Sequence, residues 1–86
     1  MSSENIKLLK SVREGLIEDK ERASKLLDKY SEIAYGPNVD YNSEEAKDAD
    51  ILHDALLSHI ENLDEQIDSA DRQIAREEKK LKDKAE

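Results

Sequence analysis

The sequence contains no cysteine, phenylalanine or tryptophan, and only two glycines and one proline among its 86 residues. Without cysteine there is neither a disulfide framework nor thiol chemistry, which suits a cytoplasmic protein. No apolar run approaches the ~20 residues that span a bilayer. The first residues lack a positive region followed by an apolar block, so we expect no signal peptide and no membrane partner. The scarcity of helix breakers favours long helices.

The sequence does contain a seven-residue apolar rhythm. From Ala49 to Leu81, two columns alternate at intervals of three and four residues, which predicts an apolar seam along one side of a helix. One column is His53, Ile60, Ile67, Ile74 and Leu81, and the other is Ala49, Leu56, Leu63 and Ala70. Disorder is the rival interpretation, because 42% of the residues are charged. However, disordered chains rarely keep a heptad pattern over several turns.

An earlier helix carries a similar pattern. Its first column is Leu9, Leu16, Ala23 and Tyr30, and its second is Val12, Leu26 and Ile33, with Asp19 interrupting the second. Ser2 or Ser3 is expected to cap this helix. Gly15 lies in its middle, where it is either a tolerated weak point costing ~1 kcal/mol against alanine or a site of close helix approach or bending.

The segment 36–42 is the only convincing break. Gly36 is expected in the left-handed conformation that ends a helix, and Pro37 cannot continue it. Asn42 is expected to cap the next helix, with Glu45 reaching back to it. The sequence therefore predicts one domain over 1–86, an all-α antiparallel two-helix hairpin, or coiled coil, with helices at about 3–35 and 43–83.

The register follows from a turn centred between Val39 and Asp40, so that residue i faces residue 79 − i. Leu16 is then expected opposite Leu63, and the second helix is expected to extend about two turns beyond the first. So little apolar mass makes a lone hairpin marginal, so we expect a homodimeric four-helix bundle. The expected packing seam comprises Leu9, Val12, Leu16, Leu26, Tyr30, Leu52, Leu56, Leu57, Ile60, Leu63, Ile67 and Ile74.

Charge is distributed unevenly. Residues 36–71 carry eleven acids and one base, and no lysine or arginine occurs between Asp48 and Asp71. Like charges at i and i+4 cost ~0.2–0.5 kcal/mol per pair, so an unmixed acidic run calls for a reason. Solvation is the simplest one, and a contact face for a basic partner is the other. The predicted acidic face is Asp50, Asp54, Glu61, Asp64, Asp68 and Asp71.

Catalytic, cofactor and metal sites are not predicted. Asp50-x-x-His53 has the spacing of a helical metal motif, but the usual carboxylate site needs two such motifs. In a hairpin this small, with no Gly-rich phosphate loop and no activated nucleophile, we expect no enzyme. Tyr35 and Tyr41 gather with Tyr30 at the turn end, where they either anchor a partner or close the hairpin.

The sequence thus predicts a non-enzymatic protein-binding module. One interpretation is a small acidic inhibitor or regulator that occupies a basic surface of a partner protein, such as a surface that otherwise binds nucleic acid. The acidic balance disfavours direct binding of nucleic acid by this chain. The alternative is a structural or adaptor subunit that docks its apolar seam, through Ile60, Leu63 and Ile67, into a larger helical assembly.

Overall fold

The fold is an antiparallel pair of helices, as seen in a computed structural model that describes residues 2–85. Helix α1 spans Ser2–Tyr35 and helix α2 spans Glu44–Ala85, and the described range contains no strand. The molecule measures 65 × 17 × 14 Å. At 1.5 Å per residue, the 42 residues of α2 account for about 63 Å of that length. The predicted all-α helical hairpin is confirmed.

The seam of α2 follows the two predicted columns, whereas Leu52 and Leu57, also expected in the packing seam, are 44% and 41% exposed because they lie beside those columns. Its members are buried or half-buried from Ala49 to Ile74, and the same three-four spacing adds Ala46 at one end and Glu77 at the other. Leu81 is 36% exposed, because it is level with the first residues of α1 and little of that helix covers it. The apolar pattern was sufficient to predict the buried side of α2, because no charged residue occupies this seam before Glu77.

The seam of α1 differs from the prediction in one column. Leu9, Leu16, Ala23 and Tyr30 are buried or half-buried as expected. Val12 and Leu26, expected in the seam, are 49% and 44% exposed. The column that faces α2 is Ile6, Arg13, Lys20, Leu27 and Ala34. Two of its members are cations that lie against α2 with their apolar stems and reach carboxylates with their charged ends.

The register also differs. Arg13 pairs with Asp71 and Lys20 with Asp64, so the residue numbers in each cross-helix pair add up to 84 rather than 79. Leu16 is therefore level with Asp68, and not with Leu63 as predicted. The overhang of two turns is wrong as well, because Leu81 lines a groove together with Ser3 and Ile6.

The shift of five residues arises in the connecting segment. At this register Tyr35 is level with Ala49, so α2 begins about 7 Å beyond the end of α1. The connecting residues run along that extra turn, and Ile33, Val39 and Ala46 line one groove there. Because the connecting segment packs against the side of a helix, the midpoint of that segment does not predict the register of the two helices.

Gly36 ends α1 for a different reason from the one predicted. No glycine among residues 2–85 has a positive φ, so the left-handed cap is wrong. Instead, the Gly36 N–H donates to the Glu32 carbonyl at 3.0 Å, and a Cβ on Gly36 would overlap that oxygen. Glycine is required here by close backbone approach.

Ser43, and not Asn42, caps α2. The Ala46 N–H donates to Ser43 Oγ at 3.2 Å, as at a helix N-cap. The Asn42 N–H donates to Asp40 Oδ1 at 3.0 Å, and the Ser43 hydroxyl donates to the Asp40 carbonyl at 2.8 Å. Asp40 thus orders the turn. At α1, Ser3 lies inside the helix, and the expected capping by Ser2 lies outside the described side chains.

The two glycines should respond oppositely to alanine. A Cβ at Gly15 meets nothing within 4 Å, so Gly15→Ala should raise the free energy of unfolding by ~1 kcal/mol through helix propensity. Gly36→Ala should lower it by ~1–3 kcal/mol, because the added carbon forces the backbone to shift. Urea unfolding followed by circular dichroism at one fixed protein concentration measures both. Changes of the same sign in both variants would contradict this account.

Candidate functional site: the outer surface of α2

The six predicted acidic positions fall into two groups. Two of them form ion pairs with α1: Asp71 Oδ1 lies 2.5 Å from Arg13 Nε, and Asp64 Oδ1 lies 2.6 Å from Lys20 Nζ. Arg13 reaches Asp71 because of the corrected register. These two carboxylates therefore stabilise the hairpin itself.

Two further positions also have partners, one within α2 and one on α1. Asp68 forms an ion pair with Arg72, one turn later in α2. Asp50 accepts a hydrogen bond from the Tyr35 hydroxyl. The Asp68–Arg72 pair was missed by sequence reasoning, although its i, i+4 spacing is a standard signal for such a contact. Four of the six acidic positions thus have partners within the hairpin.

The two positions that remain, Asp54 and Glu61, share an exposed strip of α2 with Glu65 and two apolar side chains. Within residues 2–85, Asp54, Glu61 and Glu65 form no ion pair with lysine or arginine. Asp54 lies only near His53, at 3.5 Å from Nδ1. Ile51 is 68% exposed and Leu57 is 41% exposed beside them. We call this set the acidic strip: Ile51, Asp54, Leu57, Glu61 and Glu65.

The tyrosines at the turn end differ in environment. Tyr30 is half-buried in the seam, as predicted, and Tyr41 is 63% exposed. Tyr35 bridges the helices: its hydroxyl bonds to Asp50, and its ring meets the His53 ring edge-on at 5.2 Å and 84°. The hydrogen bond to Asp50 raises the pKa of Tyr35 to about 12. Tyr35 therefore ties the end of α1 to α2.

Asp50 and His53 are adjacent to this contact. Both are half-buried, and both are engaged by Tyr35. Between Ser2 and Ala85, no three histidine, aspartate or glutamate side chains are close enough together to hold a metal ion. The pair therefore acts here in joining the helices, a role that the i, i+3 spacing alone does not reveal.

The Tyr35–Asp50 contact can be tested by titration. In a Tyr30→Phe, Tyr41→Phe background, ultraviolet absorbance follows the Tyr35 phenolate alone. Asp50→Asn should lower the pKa of Tyr35 from about 12 toward 10.0, because the amide is neutral and accepts a weaker bond. Asp54→Asn should lower it less, because Asp54 acts only through its more distant charge. Equal effects of the two variants would contradict the assignment.

The sign of the stability effect follows from the raised pKa. The contact favours neutral Tyr35, so its contribution to stability is complete below the unfolded-state pKa of 10.0 and is lost as the pH rises through about 12. Wild-type protein should therefore lose more stability than Asp50→Asn over this alkaline range. Unfolding midpoints of both proteins measured across this range test the prediction. A stability difference between wild type and Asp50→Asn that stays constant from pH 10 to 12 would contradict it.

Beyond this site, the structure and the comparisons add two findings. None of the described helices has a stretch both long and apolar enough to cross a membrane. Comparison of the chain with protein-family models, with curated proteins and with solved structures gives no significant match.

Proposed function

We propose that this chain is a non-enzymatic protein-binding module whose acidic strip occupies a basic surface of a partner protein. The observation that carries the proposal is the composition of the strip. Asp54, Glu61 and Glu65 form no ion pair with lysine or arginine within the described part of the chain, and Ile51 and Leu57 are exposed beside them. Apolar anchors next to unpaired charge are what a helix needs to bind a groove.

The spacing of the strip supports a helix-in-groove mode. Its five members follow one another at intervals of three, three, four and four residues, so they lie along one side of α2. A partner groove that takes such a helix needs apolar pockets for the aliphatic side chains. Basic residues on its rim would pair with the carboxylates and speed association. If that groove normally binds nucleic acid, this chain acts as its competitor.

The other acidic residues limit the extent of the binding surface. Asp64 and Asp71 each form an ion pair that holds α1 and α2 in register, and Asp68 pairs with Arg72. A partner would have to break these contacts to use them. We therefore place the binding surface between Ile51 and Glu65, which is about 21 Å of helix.

An adaptor that docks through its seam is less favoured by this geometry. Leu63 is 3% exposed, and Ile60 and Ile67 are half-buried between the two helices. To present these residues, the hairpin would have to open and give up its own core. The acidic strip, in contrast, is accessible while the hairpin remains folded.

Charge reversal tests the proposal. Asp54→Lys with Glu61→Lys should abolish capture of the partner proteins that the wild-type chain retains from a lysate of its source cells, while helicity is unchanged. Glu18→Lys with Glu32→Lys is the matched control, because it alters charge equally at exposed positions of α1. Capture by wild-type protein should also weaken steeply with salt, since exposed charges are screened beyond ~8–10 Å at physiological ionic strength.

Quantitative mass spectrometry of the retained proteins gives the readout. The same proteins retained equally by wild type and by Asp54→Lys, Glu61→Lys would refute the acidic strip as the binding surface. Loss of capture in both the test and the control variant would also refute it, because only net charge would then matter.

A further inference from the structure

A second stripe runs along α2, and it is free of charge. Its residues recur at intervals of three and four from Leu52 to Gln73, which is the spacing of a seam rather than of a solvated face. They are Leu52, Ala55, His59, Asn62, Gln66, Ser69 and Gln73. In a chain with 42% charged residues, seven consecutive positions of a helical stripe without Asp, Glu, Lys or Arg need a cause. We call this set the neutral strip.

Helix α1 widens the same side of the hairpin. Val12 lines one groove together with Gln66, Ser69 and Gln73. The side of α1 that carries Val12 therefore adjoins the neutral strip. Leu26 and Ile33 follow Val12 along that edge at multiples of seven residues. Val12 is 49% exposed, and Leu26 and Leu52 are each 44% exposed. The edge contains one acid, Asp19, which already pairs with Arg22.

The hairpin leaves this side uncovered because its own core is small. The buried hydrophobic residues are Ile6, Leu63 and Ile74 together with five alanines: Ala23, Ala34, Ala46, Ala49 and Ala70. Alanines contribute little buried area, whereas several larger aliphatic side chains lie on the neutral side. A partner on that side would bury what the hairpin alone cannot.

We propose that a second copy of this chain covers the neutral side, related to the first by a two-fold axis parallel to the long axis of the hairpin. The apolar part, with Leu26, Ile33 and Leu52, lies toward the turn, and the amide part, with Asn62, Gln66 and Gln73, lies toward the open end. A lengthwise two-fold axis gives an isologous interface in which each level of one copy faces the same level of the other, so apolar residues lie against apolar residues and amides against amides.

The chemistry of the strip selects this occupant. A charged partner face would lose its water without gaining an opposite charge, because the strip has none to offer. Asparagine and glutamine side chains each carry a donor and an acceptor, so the amide part is complementary to a copy of itself. A second copy that runs in the opposite direction would set leucines against amides and leave the amides unsatisfied.

The available area fits a reversible dimer. From Leu52 to Gln73 the strip extends about 32 Å along the helix, and the hairpin is 17 Å wide. Each copy therefore contributes roughly 500 Å², and the pair roughly 1,000 Å², which is near the lower limit for a specific interface. We expect a dimer that dissociates on dilution.

The proposed dimer uses none of the residues of the acidic strip. The acidic strip follows the opposite flank of the α2 seam, so both copies keep it exposed. The two interactions also respond oppositely to salt. Each copy carries a formal charge of −8, so added salt should strengthen self-association by screening repulsion, whereas it weakens binding of a basic partner.

Sedimentation equilibrium of the full chain over a range of concentrations tests the proposal. Wild-type protein should show a monomer–dimer equilibrium. Leu26→Gln with Leu52→Gln should raise its dissociation constant at least about tenfold, since two exposed leucines no longer contribute buried apolar area. Ile51→Gln with Leu57→Gln, on the opposite flank, should leave the constant unchanged. Circular dichroism checks that all variants remain helical, which is expected because these side chains are exposed in the single hairpin.

A strictly monomeric wild type would overturn the proposal, and so would a dimer weakened only by the Ile51, Leu57 variant. The axis is tested with a spin label on Asn38→Cys, which is the only cysteine in that variant. A short distance between the two labels supports the lengthwise arrangement, in which the turns lie together. A separation approaching the 65 Å length of the hairpin would overturn it.

Discussion

The arrangement of this hairpin depends on two cations in the seam of α1. Arg13 and Lys20 occupy positions that an apolar residue would normally take, and each reaches a carboxylate across the interface, Asp71 and Asp64. Part-exposed pairs of this kind are worth only ~0.2–1 kcal/mol each. Their main effect is on register, because a shift along the axis separates each cation from its carboxylate.

The same two residues explain where sequence reasoning succeeded and where it failed. The seam of α2 could be predicted because its interior positions are apolar from Ala46 to Ile74, with His53 as the one polar member. In α1, the column that begins at Leu9 has a neighbouring column on each side. The apolar pattern favoured the side with Val12 and Leu26, whereas the side with Arg13 and Lys20 faces α2. Burial of the alkyl part of a cation leaves no signal in an apolar pattern, and it is evident only once the opposing carboxylates are in place.

The predictions of the turn and of the acidic face were wrong for a related reason. Both features depend on contacts between segments distant in sequence or on backbone geometry. Counting residues cannot show that the connecting segment packs beside α2 and displaces the register. Counting charges gives a net −10 for residues 36–71, but it cannot show which acids already have partners. Of the six predicted acidic positions, the structure leaves Asp54 and Glu61 without a lysine, arginine or tyrosine partner, and only the Asp68–Arg72 pair was visible in the spacing.

Helix α2 therefore carries three different surfaces: a seam toward α1, a neutral strip on one flank and an acidic strip on the other. If a second copy covers the neutral strip, two acidic chains are held side by side, and their repulsion opposes the dimer. A basic partner bound to the acidic strip removes part of that repulsion without touching the interface. By linkage, dimerisation must then strengthen partner binding by the same factor. The two proposed interactions use separate residues, yet the charge of the chain couples them.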